Sequence, residues 1–86
     1  MAIQLEHTDT FGGEANYCWA KRAHIPGGDN LSDRALVRRA KAWAGLTGHR
    51  CDIDRFSGTI AIKPRGICQV IFIDYCEDDN ARGEAI

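Results

Sequence analysis

Only one stretch of this chain repeats with the period of a helix, and segments with the period of a strand flank it on both sides. In LSDRALVRRAKAWAGLTG, Leu36, Val37, Ala40, Trp43 and Ala44 form a single apolar stripe at helical spacing. Ser32 stands at the N-cap, and Asp33 suits the positive end of the helix dipole. Gly45 stands where a left-handed residue would end the helix, with Leu46 free to fold back on it. Arg34, Arg38 and Lys41 take the opposite side, with Arg39 flanking. One helix covers only one face of a sheet, so the other face is left to solvent or to a partner.

The strand segments read as follows. AIQLEHT sets Ile3, Leu5 and His7 against Gln4, Glu6 and Thr8. NYCWAKRAHI sets Tyr17, Trp19, Lys21, Ala23 and Ile25 against Asn16, Cys18, Ala20, Arg22 and His24. Between them Gly12 and Gly13 allow the chain to reverse, which predicts a hairpin with Tyr17 or Trp19 packed under the helix. These glycines do not open a helix, as a phosphate-binding loop would require. After the helix come RCDIDRF, a Ser-Gly turn, TIAIK, and ICQVIFIDY. The last is apolar on both parities and is predicted to be the central, most buried strand. The acidic remainder lacks a pattern and is expected to fray. The expected fold is α+β: a five-stranded antiparallel sheet with one helix on one face, in the order ββαβββ. It forms a single domain over residues 1–76, followed by a flexible tail at 77–86.

With 86 residues the chain has room for one core. Cys18, Cys51, Cys68 and Cys76 form no C-x-x-C pair and match no histidine at metal-site spacing, so reduced structural thiols are expected, with no metal or cofactor. The start carries no secretory pattern, and no apolar run is long enough to cross a bilayer. A cytoplasmic protein without membrane contact is therefore expected, with a monomer as the default.

A Cys–His nucleophile would rest on Cys18, with His7 placed across the hairpin from Tyr17 to Trp19 and His24 also near in sequence. Cys18 lies mid-strand among apolar neighbours, where a thiol is normally inert packing. His49 has no evident partner, and Asp9 and Glu14 flank the turn without a defined facing geometry. A protein that is not an enzyme is expected.

Charge is the more informative signal. Residues 1–33 carry −3, residues 34–65 carry +6 and residues 66–86 carry −4. Such asymmetry marks an interaction surface or reflects pairing within the molecule. The basic candidates are Arg34, Arg38, Arg39 and Lys41, suited to phosphates, although the pI near 6.3 is low for a dedicated nucleic-acid binder. The acidic candidates are Asp52, Asp54, Asp74, Glu77, Asp78 and Asp79. Carboxylates on a rigid support suit competition for a basic groove.

The segments HTDTFGGEANYCWAKR, RRAKAWAGLTGHRC and GICQVIFI resemble a group of small proteins from bacterial phages and mobile elements, over about residues 5 to 76. The first segment is the most specific, a signature without an assigned chemistry. In size and one-domain plan the chain is similar to anti-CRISPR inhibitors of type I CRISPR–Cas. That resemblance implies a non-enzymatic protein that binds the surveillance complex (Cascade) in the bacterial host cell and blocks target DNA. It supplies no catalytic residue. The alternative from the residues themselves is a small nucleic-acid-binding or phage accessory module using the basic helix face.

Overall fold

The computed structural model describes residues 1–9 and 16–86, with the backbone alone for Asp9 and residues 16–20. The strands are β1 (Ala2–Asp9), β2 (Asn16–Ile25), β3 (Cys51–Phe56), β4 (Thr59–Pro64), β5 (Gln69–Cys76) and β6 (Glu84–Ala85), and the helix α1 spans Asp33–Trp43. They form one sheet in the order β3-β4-β5-β1-β2-β6. Among the described residues the class is α+β with one α-helix, as the patterning predicts, but the sheet has six strands and is mixed, because β6 runs parallel to β2.

β1 and β2 pair antiparallel, with His7 opposite Lys21 and an irregularity before Asp9 meets Asn16. The Gly12–Gly13 turn and the packing of Tyr17, Cys18 and Trp19 lie outside the described residues. β1 also pairs with β5 along its whole length, from Ala2 opposite Cys76 to Asp9 opposite Gln69. The centre of the sheet is thus shared by the first strand and β5. β5 begins at Gln69, leaving Ile67 and Cys68 in the preceding turn, where the Gln69 amide donates to the Ile67 carbonyl at 2.9 Å.

α1 lies on the face formed by Ile3, Leu5, Ala23, Ile25, Ile60, Ile62, Ile71 and Ile73, and buries Leu36 and Ala40 against them. Val37, Trp43 and Ala44 pack at its margin, as the stripe requires. Ser32 Oγ accepts from the Ala35 amide at 3.2 Å, and the helix ends in a Schellman turn. There Gly45 has φ +75°, and the Leu46 amide reaches the Lys41 carbonyl at 2.8 Å. Leu46 folds back into the core.

The segment after β5 is a clasp, where the sequence pattern predicts a fraying tail. It makes a 3-10 turn at Asp78–Asn80 and then passes over Gln4, a buried residue on the face away from α1. Gln4 Nε2 donates to the Arg82 carbonyl at 3.1 Å and to the Ala23 carbonyl at 3.0 Å; its Oε1 accepts from the Arg82 amide at 2.8 Å. Gly83, at φ +82°, then lies flat against β2, where a Cβ would run into the Arg22 carbonyl. The Ile86 amide donates to the His24 carbonyl at 2.9 Å, and the Ile86 side chain packs against the core. Local pattern could not reveal this because the clasp's anchor is a buried glutamine 78 residues away.

Candidate functional site: two charged surfaces

The β3–β4 hairpin sets the geometry of the acidic candidates. Ser57 and Gly58 both have positive φ, 49° and 79°, as a two-residue turn between right-twisted strands needs. That turn fixes Asp52 opposite Lys63 and Asp54 opposite Ala61. Ala61 faces Phe72 and Asp74 faces Gln4, so Asp52, Asp54 and Asp74 share the face of the sheet away from α1.

These carboxylates are engaged within the molecule. Asp52 accepts from Arg65 at 2.9 Å, Asp54 lies 2.9 Å from Lys63, and Asp74 accepts from Thr59 Oγ1. Both ion pairs are more than half exposed, and such pairs contribute roughly 0–1 kcal/mol. The partners Lys63 and Arg65 are absent from the sequence-based candidate set. The Ser-Gly turn held the signal, since a two-residue loop dictates which residues of the next strand face Asp52.

Glu77, Asp78 and Asp79 do not join this group. They belong to the clasp, where the Met1 ammonium lies 3.8 Å from both Asp78 and Asp29. Burial there pushes the Cys76 thiol above its ordinary range, and the Asp78 charge adds to the effect. The acidic set is therefore two separate clusters, one on the sheet face away from α1 and one beside the chain's amino terminus.

The basic set divides too. Arg34 and Arg38 line a shallow groove of about 300 Å³ with Val37, Lys41, Thr47 and Gly48. Lys41 is fixed by donating to the His49 carbonyl at 2.8 Å, while Arg39 turns toward a separate hollow beside Ala42, Trp43 and Ile86. Among the described residues Arg34, Arg38 and Arg39 have no acidic partner. Asp52 and Asp54 are compensated by cations, whereas among the described residues the helix arginines are not.

The histidines serve structural bonds. His7 is opposite Lys21 and not the Tyr17–Trp19 stretch; 6% exposed, it bonds Gln69 Oε1 at 2.9 Å and meets Trp43 edge-on. His49, without an evident partner in the sequence, donates to the Arg65 carbonyl at 2.9 Å. His24 lies beside the Arg82 carbonyl in the clasp.

A third surface was not legible in the sequence. At the tip of the β3–β4 hairpin, Phe56 and Tyr75 are 52% and 50% exposed around an open hollow of about 370 Å³. Arg55 and Asp33 of α1 also line it, paired at 3.1 Å. Among the described residues, no three His, Cys, Asp or Glu converge on a metal-sized site, and no helix is long and apolar enough to cross a membrane. No protein-family model matches this chain, and no curated protein or solved structure shows significant similarity to it.

Proposed function

We propose that this protein is a non-enzymatic inhibitor of the phage or mobile-element kind. It binds a type I CRISPR surveillance complex through the exposed β3–β4 margin of the sheet face away from α1 and hinders recruitment of target DNA in the bacterial cytoplasm. The inhibitor class is drawn from the sequence resemblance. The contact surface is drawn from one observation, the placement of Asp52, Asp54 and Asp74 on the sheet face that α1 leaves uncovered. Lys63 and Arg65 make that face mixed in sign. Binding then proceeds by exchange, as a partner's lysines and arginines replace weak exposed pairs. The test is retention on purified surveillance complex, with loss of its target-DNA binding. Charge reversal at Asp52 and Asp54 is expected to abolish retention while the protein stays folded. Unchanged inhibition by the reversed protein would remove the acidic face from the reading.

A second reading is favoured by the arginines of α1, which have no acidic partner among the described residues. A groove flanked by Arg34 and Arg38 suits the phosphates of a nucleic acid. It predicts a gel shift that weakens with salt and disappears in Arg34→Gln/Arg38→Gln. Absence of any shift with folded protein would leave the inhibitor reading alone.

A further inference from the structure

β3 is the outermost strand of the sheet, paired on one side by β4 and, among the described residues, by nothing on the other. The opposite margin differs, since β6 pairs with β2 at Ala23 and His24. From Asp52 to Phe56 every residue of β3 is exposed. An unpaired edge of this kind is a template for another strand.

The charges on β3 decide which strand can use it. A second copy of this chain would pair antiparallel about a two-fold axis, and residues opposite each other would share a face. Centred on Ile53, that arrangement sets Asp52 of one copy against Asp54 of the other. Shifted by one pair, Asp54 faces itself. Like charges directly opposite are destabilising, and the exposed pairs with Lys63 and Arg65 offset this only weakly, so the edge resists its own copy. The same two carboxylates, each already able to hold a cation at 2.9 Å, favour a strand with Lys or Arg at alternate positions. Between them Ile53, 36% exposed on the other face, offers an apolar contact to the intervening residue.

We infer that the β3 edge takes up an extended segment of a partner protein that alternates basic and apolar residues, adding a seventh strand to the six-stranded sheet. The inference rests on the inhibitor reading and names its mode of contact: main-chain bonds to β3, with basic side chains over Asp52 and Asp54.

The probe is a capped peptide alternating Lys and Val, followed by fluorescence anisotropy and by amide exchange across Cys51–Phe56. Two further peptides carry N-methyl groups on one or the other alternate set of backbone nitrogens. In a paired strand only one set points at β3. Binding is expected to fall at least about tenfold for one set alone, a loss of about 1.4 kcal/mol. Asp52→Asn/Asp54→Asn should weaken the unmodified peptide similarly, and the β3 amides should gain protection on binding. Equal binding by both methylated peptides would reduce the contact to charge attraction and overturn the inference. No binding at millimolar peptide would also overturn it. The inhibitor reading is judged separately by retention of the unmodified protein on the surveillance complex. Retention without protection of the β3 amides sinks the edge contact alone.

Discussion

β1 and β3 both alternate in sequence, yet Leu5 of the first is fully buried whereas Ile53 of the second is 36% exposed. The difference lies in position within the sheet. β1 has strands on both sides, α1 across one face and the clasp over part of the other. β3 has one neighbour, and its charged side chains are compensated by pairs with Lys63, Arg65 and Asp33. One region draws its stability from buried area, while the other spends its side chains on solubility and contact. The alternation itself distinguishes neither.

The sharpest way to break this comparison is to truncate the same kind of residue in each strand. Leu5→Ala should cost about 2–5 kcal/mol in chemical denaturation, because it empties a buried site in the centre of the core. Ile53→Ala should cost well under that, on the order of 0.5 kcal/mol. Equal losses would show that the hairpin is as much a part of the cooperative core as β1.

Next in size is the clasp. Gln4→Ala removes the side chain that satisfies the Arg82 amide and carbonyl, with an expected loss of about 1–3 kcal/mol. Amide exchange should rise first at Ile86, whose bond to His24 depends on the clasp staying in place. A smaller effect is expected at the edge, where Asp52→Asn/Asp54→Asn should change stability by less than about 1 kcal/mol per pair, and less still at high salt. A larger, salt-insensitive loss would mean that these pairs are structural after all.

The smallest test leaves stability aside. The Cys76 thiol is pushed up by burial and by Asp78, so less of it is thiolate near neutral pH. Its alkylation should be slower in the folded protein than in the denatured chain. Exposed Cys68 provides the internal comparison. Equal rates at Cys76 in both states would place that end of β5 in open solvent.

Much of the fold was legible in residue order because the relevant signals are local. The Ser32 cap, the apolar stripe and Gly45 define α1 without reference to anything distant. The Ser-Gly turn fixes the β3–β4 register, and an apolar run on both parities marks β5 as interior. The candidate site was legible only in part. Alternation placed Asp52 and Asp54 on one face and the Ser-Gly turn set their cationic partners, but only sheet order brought Asp74 to that face.

By itself the sequence determined one helix, its two ends, the alternating strands and the uneven charge. Those follow from the conformational preferences of neighbouring residues and from simple periodicity. Tertiary structure alone decided that the first strand lies at the centre, that the last residues close over Gln4, and that β3 is left at the edge. Strand order and clasp closure join residues far apart in the chain. They depend on which arrangement buries the most apolar surface while satisfying every buried polar group, a property of the whole molecule that no window of sequence contains.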